Sequence, residues 1–111
     1  MNEIDIAYLA GLFDGEGSVS FSFQKATKNG KRYGHLIARV AQKDRTILDW
    51  LSGQLGYGTV HHSSHGVFQY YVVRASARKF LGLIRPYVKI KGSVIDEKLA
   101  LDHQYVKARL V

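Results

Sequence analysis

From Ser18 the chain alternates between apolar and polar residues. Val19, Phe21 and Phe23 are interleaved with Ser18, Ser20, Ser22 and Gln24. Successive side chains of a strand point to opposite faces, so this pattern predicts a strand with one buried face. Residues 26–34 are rich in Gly and Lys, and Asn29-Gly30 is a strong hairpin signal. The return strand is expected over about 34–42. Leu36, Ala38 and Val40 fall on one of its sides, and His35, Ile37, Arg39 and Ala41 on the other. The period then lengthens. Ile47, Leu48, Leu51 and Leu55 form a helical stripe with Trp50 beside it, predicting a helix from Asp44 or Arg45 to Leu55. Asp44 is a suitable N-cap and Gly56 a suitable stop. A second hairpin is expected from strands at about 57–63 and 67–75 around Ser64-His65-Gly66, with Val60, Tyr70 and Val72 facing the core. Helices follow at about 77–86, with Phe80, Leu81 and Ile84 inward, and at about 92–110, with Val94, Ile95, Leu99, Leu101 and Val106 available for packing.

A further helix precedes the first strand, starting near Ile4 and ending in two acids and two glycines around Gly15-Glu16-Gly17. Ala7, Gly11 and Gly15 are spaced four apart, with Ala10 beside Gly11. Residues at this spacing share a face, and a face of Ala and Gly lets a second backbone come close. A helical Gly costs about 0.5–1 kcal/mol relative to Ala, so Gly11 needs a packing reason. Ile4, Tyr8 and Leu12, with Leu9 and Phe13 one step round, are expected to dock on the core. The element order is therefore helix, hairpin, helix, hairpin, helix, helix. It predicts one α+β domain over residues 1–111, with a single antiparallel sheet.

The net charge is +7, which suits a polyanion partner. With no cysteine there is no disulfide and no thiolate metal site. No apolar run is long enough to span a membrane, so no membrane role is expected. The first residues lack the charged and apolar regions of a secretion signal. An intracellular protein of the cytoplasm, nucleoid or an organelle is therefore expected.

Leu9-Ala-Gly-Leu-Phe-Asp-Gly-Glu-Gly17 resembles the signature of the LAGLIDADG homing endonucleases, with six of nine positions identical. Phe13, Gly15 and Glu16 are the departures. The element order also resembles that family's αββαββα core, in which a curved antiparallel sheet lies over the DNA major groove. The resemblance implies a site-specific double-strand DNA endonuclease encoded by a mobile intron. Since this chain carries one copy of the motif, it also implies a homodimer joined through Ala7, Ala10 and Gly11, with Asp14 in a capping or interfacial role rather than as a ligand. The family's metal-binding acid falls on Glu16, with the Gly15 carbonyl as a second ligand for Mg²⁺ or another divalent cation such as Mn²⁺. By position, the supporting catalytic groups fall on Gln42 after the return strand and on Lys91 in Arg-Pro-Tyr-Val-Lys-Ile-Lys; Arg45 is a further candidate. Read without the resemblance, Gly15-Glu16-Gly17 is also compatible with a plain helix C-cap. An acid at that helix end is mildly unfavourable, however, which favours a functional role for Glu16.

If the polar face of the sheet meets DNA, it offers Ser20, Ser22, Gln24, Tyr33, His35, Arg39, His61, Ser63, Gln69 and Tyr71. Arg can bridge the two acceptors of guanine and Gln can bridge adenine. Lys25, Lys28, Lys31 and Arg32, at or near the hairpin tip, suit phosphate contacts. The plain alternative is a solvated sheet face. Two functional alternatives share the fold: a maturase that binds intron RNA, and a DNA-binding regulator that does not cut. His61, His62 and His65 are a poor zinc set, because a strand splits them between faces and no cysteine assists. Gly15-Glu16-Gly17 precedes a strand and lacks the third glycine of a dinucleotide fingerprint.

Overall fold

The computed structural model describes residues 1–23 and 34–109, with side chains up to residue 106. Gln24, Lys25, Lys28, Lys31, Arg32 and Tyr33 lie outside the described residues, as does the expected turn between the first two strands. The elements are α1 (Glu3–Glu16), β1 (Gly17–Phe23), β2 (Gly34–Gln42), α2 (Arg45–Leu55), β3 (Thr59–Ser64), β4 (Val67–Val73), α3 (Arg74–Ile84) and α4 (Gly92–Arg109). The strands form one antiparallel sheet in the order β1-β2-β4-β3. This is the α+β architecture and element order expected from the sequence. No described helix is long and apolar enough to cross a membrane.

All four helices cover one face of the sheet. Leu36, Ala38 and Val40 of β2 and Tyr70 and Val72 of β4 are buried against Leu9, Ala10 and Phe13 of α1, Leu48 and Leu51 of α2, Phe80, Leu81 and Ile84 of α3, and Ile95 of α4. Register puts Val19 opposite Ala38 and Phe21 opposite Leu36, so both belong to this covered face. Phe21 and Phe23 pack on Tyr105 of α4, with ring centroids 5.4 and 5.3 Å away. The opposite face carries no helix among the described residues.

The buried face of α1 differs from the expected one. Leu9, Ala10 and Phe13 are fully buried, while Ile4 and Tyr8 are 79% and 54% exposed and share the outer stripe with Gly11 and Gly15. At 100° per residue, positions 4, 8, 11 and 15 fall on one face, and 9, 10 and 13 on the other. Ala10 is thus a core residue and is unavailable to a partner chain.

Helix α3 starts three residues earlier than expected. Strand β4 runs straight into it; Val73 occupies the cap position without a side-chain bond, and Arg74 takes a φ of 54°. No capping residue marks this start in the sequence. Strand β3 starts two residues late because Gly56 and Gly58 turn the chain with φ of 75° and 91°. Gly58 also lies so close to the Tyr70 ring that a Cβ would collide with it. The Tyr70 hydroxyl donates to the Tyr57 carbonyl at 2.6 Å, and burial pushes it above the ordinary tyrosine range. Tyr70→Phe leaves that carbonyl without its donor. It should cost about 1–3 kcal/mol, seen as a Tm lower by several degrees in thermal unfolding.

Candidate active site and nucleic-acid face

The C-terminal end of α1 gathers side-chain and backbone contacts from distant parts of the chain. Asn2 starts the helix by accepting from the Asp5 amide at 2.8 Å. The helix ends where Gly17 enters β1 and donates its backbone N–H to the Phe13 carbonyl. Gly17 lies against the Phe13 ring, where any Cβ would collide with it. The last carbonyls of a helix lack helical donors and carry partial negative charge. Lys91 meets that charge: its ammonium donates to the carbonyls of Phe13, at 3.2 Å, and Gly17. It also lies 5.8 Å from the Phe13 ring centroid.

Glu16 is exposed at this end and lines a cleft of about 250 Å³ with Ala41, Gln42, Lys43 and Val67. Two of the three expected catalytic side chains, Glu16 and Gln42, therefore share one cleft. The third, Lys91, is bound to carbonyls of the same helix end. Lys43 is a further cation in the cleft that the residue pattern did not single out. Arg45 takes another direction, with its guanidinium 3.4 Å from Asp49 and 5.5 Å from the Phe68 ring centroid.

Asp14, expected in a capping or interfacial role, is engaged inside the chain, where it caps backbone amides. Its carboxylate accepts the amides of Lys89 at 2.6 Å, Ile90 at 3.2 Å and Lys91 at 3.0 Å. Partial desolvation works against its charge. The three amides and the Lys91 ammonium outweigh that and hold the carboxyl below the ordinary aspartate range. Since the folded-state pKa is depressed, the stability that this contact contributes is present at neutral pH and is lost only below about pH 4.

The donor set around Glu16 is compatible with a hard divalent cation. A carboxylate and the Gly15 carbonyl are both oxygen donors. Among the described residues no three His, Cys, Asp or Glu side chains converge. An Mg²⁺ held by Glu16 and the Gly15 carbonyl would need water or phosphate for its remaining ligands.

The uncovered face of the sheet carries Ser20, Ser22, His35, Arg39, Gln69, Tyr71 and His61 of the residues expected to meet nucleic acid. Register aligns Ser18, Arg39, Tyr71 and Thr59 in one row, and Ala41, Gln69 and His61 in the next. Ser20 pairs with Ile37, and Ser22 with His35. Ser63 is exposed at an irregularity between His62 and Ser64. The Arg39 guanidinium lies 5.3 Å from the Tyr71 ring centroid, and the His61 ring meets Tyr71 edge-on at 6.0 Å. His62 packs on Phe68 of the covered face instead, at 5.3 Å. Ser18 and Thr59 join this face beyond the expected set.

Along α1, the outer stripe of Gly11 and Gly15 is open: a Cβ built on either meets nothing within 4 Å. Ala7, expected on this face, is exposed beside them. Tyr8 stacks edge-on with Trp50 of α2 at 6.3 Å.

An αββαββα unit with helices on one side of a four-stranded sheet and a polar opposite face is the fold of the LAGLIDADG homing endonucleases, and this chain has it. Among solved structures it is similar to I-CvuI, crystallised in complex with its target in the presence of Ca, with a TM-score of 0.79 and 23% identity over 96% of this chain and 70% of that one. It is also similar to I-Vdi141I, an archaeal intron-encoded homing endonuclease complexed with DNA, with a TM-score of 0.79 and 19% identity over 95% of this chain and 70% of that one. The meganuclease I-SmaMI, bound to uncleaveable DNA, matches 97% of this chain with a TM-score of 0.79 and 21% identity, and the chain spans 40% of its length. No family model and no curated protein sequence matches the chain.

Proposed function

We propose that this chain is a single-motif homing endonuclease: a homodimer that hydrolyses both strands of a long, near-palindromic DNA site with a divalent cation. The observation that carries the reading is the end of α1. It presents the exposed Glu16 carboxylate in a cleft with Gln42 and Lys43, with the Lys91 ammonium held on the carbonyls of Phe13 and Gly17. A binding protein gains nothing from an acid directed at phosphate. A hydrolase needs one to hold a cation there.

Glu16 and the Gly15 carbonyl would hold Mg²⁺ or Mn²⁺, which when bound supplies charge that stabilises the attacking and leaving oxygens of phosphodiester hydrolysis. Lys91 stabilises negative charge developing on the phosphate, and Gln42 orients water by hydrogen bonding. Dimerisation through the open Gly11 and Gly15 stripe brings together two such sites, one per strand. The symmetry of the pair is then mirrored in the target. The uncovered sheet face reads the major groove, which admits a β-ribbon. The likeness of the whole fold to proteins solved with DNA supports this reading over one in which the partner is intron RNA.

The test is digestion of a duplex selected by binding from a randomised pool. Cutting with Mg²⁺ and an intact duplex in EDTA is the expected result; cutting in EDTA would overturn the role of the cation. Arg39, held on Tyr71 in the middle of the sheet face, is expected to read a base. Arg39→Ala should therefore cost about 1–3 kcal/mol of binding and weaken discrimination at one position per half-site. Equilibrium binding to single-base variants of the target at fixed salt checks this. A uniform loss across all variants, with a shallower salt dependence, would reassign Arg39 to a phosphate.

A further inference from the structure

We propose that Asp14 is a positioning residue for cleavage: by fixing the backbone of residues 89–91, it delivers the Lys91 ammonium to the end of α1 that carries Glu16. The proposal rests on the reading of this site as a phosphodiester-cleaving one. It adds a residue that neither binds the cation nor touches DNA.

Three successive amides converge on one carboxylate. Asp14 Oδ2 takes the Lys89 N–H, and Oδ1 takes those of Ile90 and Lys91. These groups are 75–77 residues apart in sequence, so the contact ties α1 to the approach of α4. Apolar packing does little to hold the segment. Val88 before it and Ile95 after it are buried, but Ile90 is 74% exposed. The segment is anchored by the Asp14 carboxylate and by the return of the Lys91 side chain to the Phe13 and Gly17 carbonyls. Its geometry continues into α4, because the Lys91 carbonyl accepts the Ile95 N–H at 3.0 Å.

An ammonium has three donors on a flexible four-carbon stem. Two of those of Lys91 are on the carbonyls that flank Glu16 in sequence, and the third is the one a phosphate oxygen takes. With the backbone of Lys91 fixed, the ammonium is placed before DNA arrives, and displacements of about 1 Å in such groups can cost about 10²-fold in rate. Asp14 also explains how an acid is tolerated in the last turn of α1, where negative charge is unfavourable. Its charge is consumed by the amides and does not compete for the cation.

The experiment is a double-mutant cycle in single-turnover cleavage at saturating protein, with wild type, Asp14→Asn, Lys91→Met and the double variant, and with DNA affinity measured separately. Asp14→Asn is expected to slow cleavage by about 10–100-fold with Kd changed less than about threefold. The double variant is expected to be no slower than Lys91→Met, because Asp14 acts through Lys91. Asp14→Glu, which keeps the charge and acceptors, is expected to recover part of the loss, and Asp14→Ser takes the place of Asp14→Asn in the cycle if that variant does not fold. Wild-type cleavage by Asp14→Asn, or a double variant slowed by the product of the two single losses, would overturn the proposal and leave the nuclease reading intact. A wild-type protein that binds DNA but never cuts it would overturn both.

Discussion

Glu16→Gln is expected to abolish double-strand cleavage, with a loss of at least about 10³-fold, while the protein remains folded and binds DNA within about threefold of wild type. The change is nearly isosteric, and Glu16 is exposed, so the core of the protein does not register it. It removes the negative charge that a hard cation requires, and an amide oxygen is a poor substitute beside the cationic Lys43 and Lys91. Removal of a carboxylate from a phosphate-binding surface also relieves repulsion, so affinity should hold or improve slightly. Single-turnover cleavage and a binding titration in the same buffer separate the two effects. A variant that cuts normally would show that Glu16 is no cation ligand.

The second large effect is expected from Gly11→Leu. A helical glycine whose Cβ position is open has no reason within its own chain, and it lies beside the exposed Ile4 and Tyr8. A close helix crossing supplies the reason. A leucine at the crossing is met twice in a symmetric pair. Overpacking costs about 1–3 kcal/mol at each position, so dimerisation should weaken by roughly 30- to 10⁴-fold. Helix propensity works in the opposite direction, since leucine is the better helix former, so the isolated chain should be no less stable. Sedimentation equilibrium is expected to show wild-type dimers and Gly11→Leu monomers at micromolar concentration. Wild-type dimers that survive the substitution would move the interface away from α1.

The sequence spoke most clearly where period and burial coincide. In β2, Leu36, Ala38 and Val40 alternate with His35, Ile37, Arg39 and Ala41; the first set is buried under the helices and the second lies on the other face, where His35, Arg39 and Ala41 are half-buried and Ile37 is buried by its neighbours in the sheet. Helix α1 was harder to orient, because it is apolar all round. Ile4 and Tyr8 look as suited to a core as Leu9 and Phe13, and only the tertiary structure decides between the two stripes. Ala10 suits a helix crossing by size alone, yet it lies in the core for the same reason. The Asp14 clamp could not be read from residue types, since its partners are backbone amides far along the chain. Asp102 was missed on similar grounds: it is 1% exposed and paired with Arg78 at 2.8 Å, although charged residues on a helix usually face solvent. Thr59 joins the uncovered face only through the pairing of β3 with Tyr71 of β4, which composition does not specify. In contrast, Glu16, Gln42 and Lys91 were singled out by their positions relative to the motif and the elements, and the fold gathers them about one helix end.

The most direct test of a symmetric metal-dependent nuclease is to sequence the ends produced when the protein and Mg²⁺ are incubated with a randomised duplex library, with Glu16→Gln in parallel. Discrete double-strand cuts centred on near-palindromic sites are expected, present with wild type and absent with the variant. Selected binding without any cuts, or cuts that persist in Glu16→Gln, would contradict it.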